Sequence, residues 1–253
     1  MTTPRPTPGM MPRRRPEIRA DPARVTPSTF AADPRIPQCG TDDATVWPDT
    51  GVLLAAGSDA AVPVPFRTRY KARALVAGGV DNEVRGRCFV RPPADAPDED
   101  HLGFEAAERA VQEFLLPGTG LVKRAITPQD FAAVDAVRVE LDARSPAAGK
   151  GKHTGEAQII VLAERERDRT GRTQVLLTND GGASVVARQH GLSSRHAADV
   201  LRELVCAGVL DPESSWGAHE TALAVTRMPA HVRPRRGAFT CARVEGACQR
   251  CDA

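Results

Sequence analysis

The chain has 253 residues, of which 41% are hydrophobic and 26% charged, a composition typical of globular proteins. Its apolar runs are far shorter than the ~20 residues that a membrane-spanning helix needs, so no membrane interaction is expected. The formal net charge of +2 conceals an uneven distribution, because residues 38–226 carry 21 basic and 27 acidic residues. An acidic body therefore lies between two basic ends, and the total charge neither favours nor excludes a nucleic-acid partner.

Residues 1–43 form a proline-rich arm that contains a run of three arginines. Proline lacks a backbone donor, and the arm shows no apolar periodicity, so it is predicted to be disordered. The arginines would attract phosphates if the arm has a binding role, but a solvated leader or a wrongly assigned start site is the favoured explanation.

Residues 44–212 are predicted to form the folded domain, in which strand-like and helix-like segments alternate. Strands are predicted at residues 45–48, 73–76 and 174–178. Helices are predicted to follow residues 49 and 78, and to cover residues 104–116, 127–143, 154–163, 180–189 and 193–207. Short apolar strands alternating with helices predict an α/β fold with a mostly parallel central sheet covered on both faces.

Residues 213–253 are predicted to form a basic, irregular tail. Three of the six cysteines lie in it, namely Cys241, Cys248 and Cys251. Zinc needs four ligands, and these three cysteines with His231 upstream could form a small zinc site, but their irregular spacing is at least as typical of unligated thiols. Six cysteines without the density of a disulfide scaffold fit a reducing cytoplasm.

Four acidic residues stand where predicted strands end or helices begin. They are Asp49, Glu83, Glu156 and Asp180. Since open parallel sheets bind ligands at the carboxyl ends of their strands, we expect these side chains to meet there. Gathered carboxylates repel one another, and hard oxygen ligands without His or Cys select Mg²⁺ or Mn²⁺. Any one acid at a helix start is more often a helix cap or first-turn residue, so the prediction depends on all four contexts together.

The contexts of these acids resemble the four motifs of PIN-domain nucleases. The similar segments are DTGVLL at residues 49–54, VDNEVRG at 80–86, GEAQIIVLA at 155–163 and LLTND at 176–180. The resemblance spans roughly residues 44–210. It implies a three-layer α/β/α sandwich and a metal-dependent ribonuclease, of the kind found in toxin–antitoxin pairs, that cleaves single-stranded RNA.

The resemblance also implies roles for individual residues. Mg²⁺ or Mn²⁺ would be held by Asp49, Glu156 and Asp180, with Glu83 completing the shell or orienting the attacking water. Thr50 and Thr178 would hydrogen-bond the carboxylates. Because the body is acidic, RNA would need local cations along its path, for which the candidates are Arg85, Arg87, Arg188 and Arg195. A cognate antitoxin protein and a homodimer are further partners that the resemblance implies.

Two other interpretations stay open. Residues 187–210 are similar to a helix-turn-helix, in which Ser194 and Arg195 would begin a helix that reads the major groove of DNA. Alternatively, the domain is a catalytically inactive PIN-like module that binds RNA or a partner. Gly51, which stands where the family has Asn, and Pro48, which directly precedes the first acid, favour that interpretation.

Overall fold

The computed structural model of the chain describes residues 43–118, 120–144, 153–226, 236–239, 243–244 and 247–248. Residues 1–42 of the predicted arm lie outside the described residues. So do Cys241, Cys251 and the side chain of Cys248, on which the zinc interpretation depends. Both interpretations therefore stay predictions.

Helices and strands alternate along most of the described chain. The strands are β1 (Thr45–Pro48), β2 (Leu75–Ala77), β3 (Val122–Arg124), β4 (Gln174–Leu177), β5 (Ser193–Arg195), β6 (Arg243–Val244) and β7 (Ala247–Cys248). The helices are α1 (Thr50–Ser58), α2 (Pro63–Tyr70), α3 (Gly78–Gly86), α4 (Asp98–Ala110), α5 (Phe131–Arg144), α6 (Thr154–Thr170), α7 (Gly181–Gln189), α8 (Ala197–Cys206) and α9 (Pro212–Val225). A π-helical turn, Val111–Leu115, extends α4, and 3₁₀ turns lie at Pro128–Asp130 and Arg236–Phe239.

The principal strands are all parallel. Strand β4 pairs with β1 on one side and with β5 on the other, and β2 pairs with β3. One parallel bridge, between Val46 and Ala74, connects these two sets, so the strands follow the order β3-β2-β1-β4-β5. The predicted α/β class with a small parallel sheet is confirmed.

This strand order determines where a ligand would bind. From β1 the chain continues outward to β2 and β3 on one side, whereas β4 and β5 occupy the other side. The order therefore reverses between β1 and β4, and open α/β sheets bind ligands in the crevice at the carboxyl ends of such strands. The residues that directly follow β1 and β4 consequently line the expected site.

The core is built around the two strands that flank this crevice. Every residue of β1 and β4 is buried, as expected for central parallel strands. Trp47 is buried in β1, and its Nε1–H donates a hydrogen bond of 2.8 Å to Oε1 of Gln174 at the start of β4. A buried pair of polar groups thus reinforces the register between β1 and β4.

The segment following α7 differs from the prediction. Ser193–Arg195 forms strand β5, and α8 begins only at Ala197, so the helix predicted over residues 193–207 is wrong in its first turn. Leu177 of β4 pairs with Arg195, and the backbone N–H of Thr178 donates to the Arg195 carbonyl at 2.8 Å. Pairing along the open side of β4 therefore overrides local helix propensity. Ser194 and Arg195 lie in the sheet and so do not begin a helix, as the helix-turn-helix interpretation of residues 187–210 requires.

The C-terminal segment also differs from the prediction of an irregular tail. Residues 213–225 belong to α9, which contacts α1, α4 and α8. Asp211 caps this helix by accepting a hydrogen bond from the backbone N–H of Ser214, and Pro212 occupies its first turn. Residues 211–212 thus carry a local signal for a helix start. The basic, cysteine-containing composition of the tail as a whole predicts irregular structure instead.

Helices α1 and α4 pack closely at Gly57. A Cβ atom on Gly57 would lie 2.4 Å from the carbonyl oxygen of Ala106 and 3.1 Å from the amide nitrogen of Ala110. We therefore expect Gly57→Ala to lower the free energy of unfolding by about 1–3 kcal/mol, because one helix must move. The matched control is Gly103→Ala in α4, where an added Cβ meets no described atom within 4 Å. Equal urea midpoints for the two variants would contradict the prediction.

Candidate functional site

Asp49 directly follows β1 and is almost completely buried. Its Oδ1 accepts a hydrogen bond of 2.6 Å from the backbone N–H of Val52, so it caps α1, and its carboxylate also accepts one from Thr178. The Asp49 N–H donates to the Leu177 carbonyl at 2.9 Å. Strand pairing therefore continues past Pro48, which does not displace the acid from the edge of the sheet.

Asp180 occupies the corresponding position after β4. Its Oδ1 accepts a hydrogen bond of 2.9 Å from the backbone N–H of Ala183 and so caps α7. Its own backbone N–H donates to Oγ1 of Thr178 at 3.0 Å. Since the Thr178 side chain also hydrogen-bonds the Asp49 carboxylate, one buried hydroxyl connects the two acids that follow the central strands.

Glu83, on α3, connects the starts of two other helices. Its Oε2 accepts a hydrogen bond of 2.5 Å from the Thr50 hydroxyl, and its Oε1 accepts one of 3.2 Å from the backbone N–H of Gly155. A Cβ at Gly155 would lie 2.9 Å from this Oε1, so the glycine permits the approach. Gln158 of α6 holds the start of α3, because its Oε1 accepts from the Gly79 N–H at 2.7 Å.

Glu156 lies in the first turn of α6, three residues after His153. His153 has a left-handed backbone conformation, with a φ of 70°, and is 3% exposed. Its Nδ1 lies 4.0 Å from Oε1 of Glu156, and neither ring nitrogen has a hydrogen-bond partner among the described residues. A left-handed non-glycine residue costs about 1–3 kcal/mol, and an unpaired buried polar group costs a similar amount. The backbone conformation and the unpaired ring of His153 therefore both lower the stability of the folded protein.

The four carboxylates influence one another electrostatically. Burial, followed by the negative charges of Glu156 and Asp180, raises the pKa of Asp49 to about 7, although hydrogen bonds from Thr178 and Val52 oppose the shift. Burial also raises the pKa of Glu156, assisted by the charges of Glu83 and Asp180 and opposed by its own backbone N–H and by His153. The fold thus concentrates negative charge at one place, where a cation would relieve the repulsion.

The structure brings Asp49, Glu83, Glu156 and Asp180 to one edge of the sheet. In the part of the chain that the structure describes, no three His, Cys, Asp or Glu side chains form a ready-made metal-binding group. Three of the four carboxylates instead accept hydrogen bonds from the backbone N–H groups of other residues at helix starts. Their role as metal ligands therefore stays a prediction, whereas Thr50 and Thr178 do hydrogen-bond carboxylates of the cluster.

The predicted RNA-contacting arginines have different environments. Arg195 is 2% exposed within β5, so its prediction as a surface contact is wrong. The Arg85 guanidinium donates hydrogen bonds to Oδ1 of Asp81 at 2.9 Å and to the Leu115 carbonyl at 2.7 Å. The second bond connects α3 to the π-helical turn after α4. Arg87 is exposed and Arg188 is half-buried, and for these two, as for Arg85, an RNA contact stays a prediction.

Sequence reasoning missed two residues of this region, His153 and Gln158. Gln158 lies among the apolar residues of α6, and only the tertiary structure shows that it holds α3. No pattern distinguishes a histidine before a helix-starting threonine from one in an ordinary loop. A left-handed backbone at a non-glycine residue is visible only in three dimensions.

No known protein family, curated protein or solved structure matches the chain. Among the helices of the described residues, none combines the length and the apolar character required to cross a bilayer.

Proposed function

We propose that the chain is a PIN-like nuclease that uses Mg²⁺ or Mn²⁺ to cleave single-stranded RNA, on a sheet covered by helices as a three-layer α/β/α sandwich. The observation that supports this most strongly is the convergence of four carboxylates from four separate segments at the switch point of a parallel sheet. Strongly perturbed carboxylates in such a position are typical of functional sites.

The donor set fits a hard divalent cation. All four acids offer oxygen ligands. Burial first, and then the charges of neighbouring carboxylates, raise the pKa values of Asp49 and Glu156, and a bound ion would compensate both effects. When bound, the ion would polarise a scissile phosphate and lower the pKa of an attacking water.

The chain's own residues would position the reactants. Asp49 and Asp180 are held at the ends of buried strands, and Thr178 hydrogen-bonds the first side chain and the backbone of the second. Such preorganisation is what a catalytic constellation needs. Glu83 is the exposed acid, and the Thr50 hydroxyl holds its carboxylate where an incoming water would be oriented.

Helix N-termini add attraction for the substrate. Helices α1, α6 and α7 all begin beside these acids. The partial positive charge at a helix N-terminus favours a phosphate group, which offsets part of the repulsion between the carboxylates and RNA. An antitoxin protein and a homodimer complete the proposal, and both rest on the resemblance to toxin-type PIN domains.

A catalytically inactive, PIN-like binding module is the second candidate. It is favoured by the use of the Asp49 and Asp180 side chains as helix caps and by Gly51 at a position where the family has Asn. In that case the acids would serve the fold rather than a reaction.

An RNA cleavage assay separates the two candidates. Labelled single-stranded RNA should be cleaved in Mg²⁺ or Mn²⁺ and should stay intact when EDTA is added, whereas duplex DNA should stay intact in both conditions. Cleavage that persists in EDTA would refute the metal-dependent mechanism. RNA that stays intact with either cation, while it still binds the protein, would establish the inactive module.

A further inference from the structure

His153 is a buried imidazole beside the acidic cluster whose position the fold alone does not explain. It directly precedes α6, is 3% exposed, and has no hydrogen-bond partner for either ring nitrogen among the described residues. Buried polar side chains in native proteins are normally hydrogen-bonded. An unpaired side chain at this depth points to a ligand that is absent when the protein is alone.

The backbone of His153 supports the same conclusion. Its φ of 70° lies in the left-handed region, which few non-glycine residues adopt, although histidine, like asparagine, adopts it more often than most. Gly149 and Gly151 stand only a few residues away in the sequence, so small residues are already common in this segment. His153 thus combines a left-handed backbone with a buried, unpaired ring, and backbone strain of this kind concentrates at functional sites.

The distance between His153 and Glu156 fits a shared cation. Nδ1 of His153 lies 4.0 Å from Oε1 of Glu156, which is too far for a hydrogen bond. Nitrogen and oxygen ligands each lie about 2.0–2.2 Å from a divalent metal ion, so two donor atoms at this separation can bind one ion from roughly opposite sides.

We propose that His153 is a nitrogen ligand of the cation at this site, next to Glu156, and that it makes the site prefer Mn²⁺ to Mg²⁺. This inference rests on the proposed metal-dependent function. Carboxylate oxygens suit both ions, but imidazole suits transition metals and is a poor ligand for Mg²⁺. The combination of His153 with the surrounding acids therefore favours Mn²⁺, which accepts both nitrogen and oxygen ligands, over Mg²⁺.

Titration of the cation-free protein with Mn²⁺, followed by the electron paramagnetic resonance signal of free Mn²⁺, tests the proposal. His153→Gly is the informative variant, because glycine relieves the strained backbone and removes only the imidazole. We expect this variant to bind Mn²⁺ about 10–100-fold more weakly than the native protein. Its affinity for Mg²⁺, measured by competition, should change less than about threefold, and its melting temperature without metal should not fall. His153→Asn, which also tolerates the left-handed conformation, should lose the preference for Mn²⁺ in the same way.

A second measurement reports the ligand directly. Electron spin echo spectra of the Mn²⁺-loaded protein should show modulation from an imidazole nitrogen, and this modulation should disappear in His153→Gly. Modulation that is absent from the native protein, or retained in the variant, would overturn the assignment of His153 as a ligand while leaving the carboxylate site in place. A native protein that binds neither Mn²⁺ nor Mg²⁺ would instead overturn the proposed function itself.

Discussion

Replacing Asp49 by Asn should stabilise the cation-free protein at pH 7.5 by up to about 4 kcal/mol, because 1 pKa unit corresponds to about 1.4 kcal/mol. Burial, and then the charges of Glu156 and Asp180, raise the pKa of Asp49 from 3.8 to about 7. Between pH 3.8 and about 7, the Asp49 carboxyl is protonated in the folded protein but ionised in the unfolded chain. The stability that Asp49 provides is therefore fully present below pH 3.8 and is lost as the pH rises through about 7. Asparagine cannot ionise, yet it caps a helix about as well as aspartate.

Urea unfolding in EDTA at pH 4.5 and pH 7.5 measures this effect. The native protein should lose stability between the two conditions, and Asp49→Asn should lose much less. His190 titrates in both proteins: burial lowers its pKa, but hydrogen bonds to Glu164 and Glu140 raise it by more, so its contribution cancels in the comparison. The control is Asp95→Asn on an exposed turn, which should behave like the native protein. An Asp49→Asn protein that is less stable than the native protein at pH 7.5 would contradict the raised pKa.

Replacing Asp180 by Asn should reduce RNA cleavage by at least about a hundredfold, which corresponds to about 2.7 kcal/mol of transition-state stabilisation. The substitution removes one negative charge from the cluster and preserves the helix cap, because the asparagine oxygen can still accept from the Ala183 N–H. A loss of activity would therefore reflect the charge rather than the fold.

The matched control for Asp180 is Asp211→Asn. Asp211 has the same structural role, since it caps α9 by accepting from the Ser214 N–H at 2.9 Å, but it is exposed and follows no strand of the sheet. Single-turnover cleavage in Mg²⁺ and the melting temperature should be measured for both variants. We expect both to stay folded and only Asp180→Asn to lose cleavage. Equal activities for the two variants would remove Asp180 from the mechanism.

The parts of the site that are local in sequence were predictable. Asp49 and Asp180 each stand between a short apolar strand and a helix start, so the residue types alone indicate a strand, an acid and a helix in that order. The parallel sheet then places both acids at one edge, because all its principal strands point the same way. Their positions followed from periodicity and from the general rule for open sheets.

The parts that depend on distant contacts were not predictable. Glu83 reaches Thr50 and Gly155, and no sequence pattern encodes those two hydrogen bonds. The sequence of β5 is typical of a helix start. It forms a strand because it pairs with the open edge of β4. Strand β3 is exposed at all three residues, so it lacks the apolar pattern by which buried strands are found.

The pairing of β1 with β4 has a consequence for when the site forms. Residues 45–48 pair with residues 174–177, so a loop of more than a hundred residues must close before Asp49 meets Asp180. Contacts this distant in sequence are slow to form, since the entropy of closing the loop is lost before the contact stabilises it. During synthesis, the four acids cannot assemble until β4 and the start of α7 have left the ribosome. Under the proposed ribonuclease function, a nascent chain would thus remain inert beside ribosomal and messenger RNA until most of the domain has been made.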